Sequence, residues 1–171
     1  MSIAYVVGVV EDGSVRGPLV PINPRRTLRG YWGSGMLVRM AVVRPGGDPV
    51  DIELSRMVLT VRRRSWDLDD EAEYRNEVVI GADPELDIGR VDFLIPGTRM
   101  RSFVPGWYAY DIWWIGPLGD AECVLGTSAF VVEPSVGVFD DTDISEASYV
   151  TADQILVLAL NVPVVAGASR P

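Results

Sequence analysis

Residues 89–134 read GRVDFLIPGTRMRSFVPGWYAYDIWWIGPLGDAECVLGTSAFVVEP. Three apolar runs in this stretch are separated by Pro-Gly and Gly-Pro turns. Val91, Phe93 and Ile95 recur at every second position before Pro96-Gly97. Residues 107–115 form a long aromatic run, and Gly116-Pro117-Leu118-Gly119-Asp120 turns the chain back into residues 123–132. A period of two sends alternate side chains to opposite faces of a strand. Gly and Pro at the ends of such runs supply the turns. The stretch reads as the last third of an antiparallel sandwich, since strands with one apolar face need a second sheet to cover it.

The same pattern begins earlier. Residues 37–43 are apolar around Arg39 and lead into the turn cluster Pro45-Gly46-Gly47-Asp48-Pro49. Met57, Leu59 and Val61 alternate with Val58, Thr60 and Arg62, which predicts a strand buried on one face. Residues 77–80 form a short β-branched run. About seven short strands at this spacing give an all-β fold, an immunoglobulin-like antiparallel β-sandwich.

Three parts are expected along the chain. Residues 1–32 read as an extended N-terminal arm. Residues 3–10 within it suit one strand, and Pro18, Pro21 and Pro24 with Arg25, Arg26 and Arg29 then favour extended chain, because proline fixes φ and removes a donor. Residues 33–136 form the sandwich. Residues 137–171 form a C-terminal extension, acidic at Asp140, Asp141, Asp143 and Glu146, then apolar over 155–166. Leu156, Leu158 and Leu160 alternate there with Ile155, Val157 and Ala159, so the run is expected to be a strand buried on both faces.

What the chain lacks narrows its chemistry. It has no His, and all 15 basic residues are Arg. The commonest general base and metal ligand is therefore missing, as are Schiff-base and P-loop lysines. One cysteine, Cys123, cannot form an internal disulfide or a cysteine-cluster zinc site. In its apolar run it reads as a buried, inert thiol. No catalytic, cofactor or metal site is expected. A net charge of −9 argues against nucleic acid, because phosphate contacts need a basic face. Residues 1–5 carry no basic n-region of a signal peptide. The apolar run over 155–166 is short for a membrane span and is broken by Asn161 and Pro163, so no membrane partner is expected.

On the aromatic strand, Gly106 follows Pro105 at a sharp bend. Tyr108, Tyr110, Ile112 and Trp114 share one face, and Trp107, Ala109, Asp111, Trp113 and Ile115 share the other. The first set is the expected core face. Tyr108 sits where a tyrosine corner would form, its phenol bonding back to the backbone; an ordinary core tyrosine fits the sequence as well. Trp107 and Trp113 suit either packing against another subunit or a sugar-stacking platform. Asp67, Asp69, Asp70, Glu71 and Glu73 lack the glycine and terminal glutamate of a calcium loop. Arg62, Arg63 and Arg64 alternate faces on a strand and are expected to pair internally or with a subunit.

The order of these pieces carries a resemblance. Gly35-Met36-Leu37-Val38-Arg39-Met40, Gly47-Asp48-Pro49-Val50-Asp51-Ile52, Met57 with the five residues after it, Gly89-Arg90-Val91-Asp92-Phe93, Pro105-Gly106-Trp107-Tyr108-Ala109-Tyr110-Asp111-Ile112, then residues 126–134, follow one another over residues 33–136. The arrangement resembles the small immunoglobulin-like sandwich of tailed-phage and prophage structural proteins, the N-terminal domain of phage baseplate upper proteins among them. Residues 66–76 are longer and more acidic than that family implies, and the arm and tail have no counterpart in it.

The resemblance implies a non-enzymatic part of a tailed-phage or phage-derived particle, made in the host cytoplasm and residing in the virion. Its partners would be other virion proteins and copies of itself, with no cofactor. A decoration, docking or connecting role is expected, with Trp107, Trp113, Leu156, Leu158, Leu160, Arg25 and Arg26 at the interface. A receptor- or carbohydrate-binding module at a tail or baseplate tip is the alternative.

Overall fold

The computed structural model describes residues 1–10, 26–68, 71–81, 88–135 and 150–167. Its strands are β1 (Ser2–Val9), β2 (Leu28–Tyr31), β3 (Met36–Val43), β4 (Arg56–Arg62), β5 (Tyr74–Val79), β6 (Arg90–Ile95), β7 (Gly106–Ile115) and β8 (Ala121–Glu133). A short helix α1 (Gly97–Met100) lies between β6 and β7, and a longer one, α2 (Ala152–Gly167), follows β8. One sheet has the order β1-β3-β6 and the other β2-β8-β7-β4-β5. The two pack face to face as an all-β sandwich.

The period of two read from the sequence sets the interior. Met36, Val38, Met40 and Val42 of β3, with Val91, Phe93 and Ile95 of β6, belong to one buried cluster with Met57, Leu59 and Val61 of β4 and Tyr108, Tyr110 and Ile112 of β7. Each large apolar side chain removed from water in this way contributes about 1.5–3 kcal/mol. Phe103, in the connection before β7, packs into this cluster with its ring edge-on to Tyr108 at 5.1 Å and to Phe130 at 5.6 Å. Where the edges of the two sheets meet at β5 and β6, side chains join them. Tyr74 Oη and Asn76 Nδ2 both donate to the Leu94 carbonyl, at 3.2 and 3.0 Å. Gly89 opens β6 at φ 76, where a Cβ would meet the Val42 carbonyl oxygen at 2.6 Å, so no larger residue fits.

Residues 1–32 differ from the expected arm. β1 pairs in parallel with β3, and β2 in parallel with β8. Both strands thus complete sheets of the sandwich, and Val6, Val7 and Leu28 are buried. The physical reason is that residues 3–9 are an unbroken apolar run: Ala4 and Val6 pack into the core and Val7 and Val9 under α2, so the strand is covered on both faces while it pairs with the edge of β3. Residues 11–25, with Pro18, Pro21, Pro24 and Arg25, lie outside the described residues.

The C-terminal run is a helix, and the expectation of a strand is corrected. Short apolar runs do not distinguish strand from helix by period, and the capping decides here. Thr151 Oγ1 accepts from the Gln154 N–H at 3.2 Å, and Gln154 Oε1 accepts from the Thr151 N–H at 2.9 Å. This reciprocal pair is a capping box. Asp153 in the first turn also suits the helix dipole. α2 lies on the outer face of the three-stranded sheet, where Ala152 and Ile155 pack with Val7, Val9, Ala41 and Val43.

Candidate interaction surfaces

α2 lies over one sheet, and among the described residues no helix covers the outer face of β2-β8-β7-β4-β5, which is exposed chiefly along β7. β7 presents Trp107, 64% exposed, and Trp113, 38% exposed, on this side. The strands around them are stitched by ion pairs. Arg62 of β4 meets Asp111 of β7 at 2.6 Å, Arg56 meets Glu77 at 3.1 Å, and Arg29 meets Glu133 at 2.9 Å. The first pair is nearly enclosed, its side chains 10% and 13% exposed. The other two are open to water, where such pairs contribute little.

Beside Trp113 the face has a hollow of about 270 Å³, lined by Val58, Thr60, Arg75, Trp113, Ile115 and Ala121. Val58 and Thr60 are buried at its floor although they point away from the core. The β4 alternation is therefore present, but both of its faces are covered. Cys123 pairs in register with Trp113. Burial pushes its thiol pKa up, with Asp111 adding to the effect, so the thiolate is disfavoured.

The inward face of β7 anchors this surface. The Tyr108 hydroxyl donates to the Val104 carbonyl at 2.7 Å and accepts from Arg63 Nη1 at 2.9 Å. The phenol therefore bonds back to the backbone four residues upstream, the geometry of a tyrosine corner. Tyr110 and Ile112 are fully enclosed. Gly106 starts the strand at φ 152, a value that side chains disfavour.

The residues expected at the interface fall in three places. Trp107 and Trp113 lie on the open sheet face. Leu158 and Leu160 are exposed on α2, on the far side of the sandwich, while Leu156 is half-buried against the helix's own sheet. Arg26 is tied into the fold: its Nη1 donates to the Ala159 carbonyl of α2 at 3.0 Å. Burial lowers its pKa, and Tyr110 opposes that shift. Arg25 is outside the described residues. Of the three consecutive arginines, Arg62 pairs with Asp111, Arg63 lies over the Tyr108 ring and Arg64 near the Trp66 ring.

Six exposed apolar residues among those described carry no sign in the alternation pattern: Leu54, Trp66, Leu68, Ile88, Val104 and Leu118. All lie in connections, and the signal that marks them is a bulky apolar residue where turns usually carry small or polar ones. Among the described residues no group of three or more His, Cys, Asp or Glu is placed to hold a metal. No helix among them is long and apolar enough to cross a membrane.

Compared with protein families and with curated proteins, the sequence finds no match. Among solved structures it is similar to the N-terminal domain of phage TP901-1 ORF48, at 12% identity and TM-score 0.47, over 78% of this chain and 99% of that one. It is also similar to reduced rusticyanin, at 13% identity and TM-score 0.35, over 78% of this chain and 81% of that one.

Proposed function

We propose that this chain is a non-enzymatic structural component of a tailed-phage or phage-derived particle, acting as a docking, decoration or connecting module. The observation that carries the reading is the outer face of the five-stranded sheet, where exposed Trp107 and Trp113 stand among cross-strand arginine–carboxylate pairs. Tryptophan and arginine are enriched among the few residues that dominate binding at protein interfaces. The order of strand motifs over residues 33–136 adds the phage context, and the exposed leucines of α2 offer a second contact with a neighbouring subunit. Purified particles from the source would be digested and their peptides quantified. The reading expects this chain at a fixed copy number, and expects Trp113→Ala to lower that number without lowering the amount of soluble protein. Absence of the chain from purified particles would overturn it.

A second reading is favoured by the hollow at Trp113. An indole beside the Arg75 guanidinium and the Thr60 hydroxyl suits the apolar face and hydroxyls of a pyranose ring. Glycan-array binding that is lost in Trp113→Ala would support this reading over the first.

A further inference from the structure

Two leucines sit where turn chemistry does not favour them. Leu118, at the tip of the β7–β8 hairpin, is 96% exposed. Leu54, just before β4, is 64% exposed and holds a left-handed backbone at φ 57. That conformation disfavours side chains other than Asn and Asp. Neither leucine is stabilised by burial within its own fold. The pairing of Arg56 with Ile115 sets their two turns side by side at one end of the five-stranded sheet. Asp51, Glu53 and Asp120 are exposed around them. That end is an apolar knob with three carboxylates beside it, and Arg56 there is held by Glu77.

At the opposite end one connection carries the complementary charge. The ten residues of β7 separate the two ends by roughly 30 Å. There the connection 96–105 contains Arg99 and Arg101 and no acidic residue. Both arginines are exposed, and neither side chain forms an ion pair with a described residue. Val104 and Trp107 beside them are each 64% exposed. The seat is held firmly, since Trp32 Nε1 donates to the Arg101 carbonyl at 3.1 Å and Tyr108 to the Val104 carbonyl at 2.7 Å. Among its described residues the adjoining connection carries Glu73, which is exposed, while two other carboxylates are turned to its own backbone. Asp67 accepts from the Arg64 N–H at 2.8 Å, and Glu71 from the Leu68 N–H at 3.3 Å.

We infer that this chain associates with itself head to tail, the Leu54–Leu118 knob of one copy resting on the Arg99–Arg101–Val104–Trp107 seat of the next. Such a contact is heterologous. It gives a ring if the rotation between copies closes, and a fibre if it does not. The net charge of −9 opposes approach at long range, so the opposite charges at the two ends set the orientation. The contact joins copies of this chain whatever particle they enter, so it stands or falls apart from the proposed function.

Sedimentation velocity of the full chain tests it. Wild type is expected to form larger species as concentration rises, and fewer of them as salt is added. Leu118→Asp, which spoils the knob, and Arg99→Glu with Arg101→Glu, which spoils the seat, should each remain monomeric with an unchanged melting temperature. Mixed together, these two variants still offer one intact knob and one intact seat, so they should form a heterodimer and nothing larger. Leu54→Asn suits the left-handed backbone and should raise the melting temperature while weakening association. A wild type that stays monomeric at every concentration would overturn the inference. So would association that survives Leu118→Asp, or a variant mixture that remains monomeric.

Discussion

The hydroxyl of Tyr110 donates to the carbonyl of Arg26 across 2.7 Å. The Arg26 guanidinium donates onward to the Ala159 carbonyl at 3.0 Å. A buried strand of one sheet, the segment leading into β2, and the helix over the other sheet are thus linked through two residues. Tyr110→Phe keeps the ring and removes the link, and should destabilise the domain by about 1–3 kcal/mol, the cost of leaving a buried acceptor unmade. Tyr110→Ala should cost roughly 3–5 kcal/mol, as for other aromatic truncations in a core. Urea unfolding with an unchanged m-value checks both.

Trp107→Ala on the opposite face of the same strand should change stability by no more than about 0.5 kcal/mol, since the ring is largely in water. If Trp107→Ala unfolds the chain while Tyr110→Ala is silent, the two faces of β7 are reversed.

These faces were legible because β7 alternates without interruption from Trp107 to Trp114. The two-sheet sandwich followed from the same period in β4 and β6 and from the apolar run of β3. Other features depend on contacts that no local pattern encodes. Arg39 interrupts an apolar run and looks like a surface residue, yet it is 1% exposed, with Asp92 of β6 at 3.4 Å. α2 was misread because Leu and Val alternate in it, although Thr151 and Gln154 spell a capping box in the sequence. The parallel pairings of β1 and β2 lie far apart along the chain, and a period of two fixes neither partner nor direction. The turn-tip leucines are visible as residues, but their exposure is not.

Alkaline pH should weaken the fold through Tyr110. Burial is the main cause that raises its pKa well above the ordinary 10.0, while Ser128 and Arg26 oppose the shift. The folded state therefore keeps this proton when the unfolded chain has lost it. Stability from this group is complete below pH 10 and falls as pH rises above it. Cys123 and Tyr74, both raised by burial, add losses of the same sign. Melting temperature against pH should begin to decline above about pH 9 through Cys123 and fall further above about pH 10, less steeply in Tyr110→Phe. An equal decline in that variant would assign the alkaline loss to other groups.

The Arg62–Asp111 pair should behave as an enclosed ion pair. Asp111→Ala removes the carboxylate and leaves the guanidinium in place, at an expected cost of roughly 3–5 kcal/mol. Arg62→Met combined with Asp111→Leu should cost much less, because no charge remains to be desolvated. Chemical denaturation of the single and double variants gives the comparison.

Removing residues 150–171 should expose Val7, Val9, Ala41 and Val43. The truncated chain is expected to aggregate or bind a hydrophobic dye, unlike the full chain. Thr151→Ala is the milder test and should cost about 1 kcal/mol through loss of the helix cap. A truncated chain that is soluble, monomeric and cooperatively melting would show that the helix is not needed to cover its sheet.

The central claim is that the open face of the five-stranded sheet is a docking face within a particle. Electron cryomicroscopy of purified particles tests it most directly. The account predicts this chain at fixed, symmetry-related positions, with Trp107 and Trp113 covered by an adjacent subunit. Density at a flexible tip with that face in solvent, or no density for the chain on the particle, would contradict it.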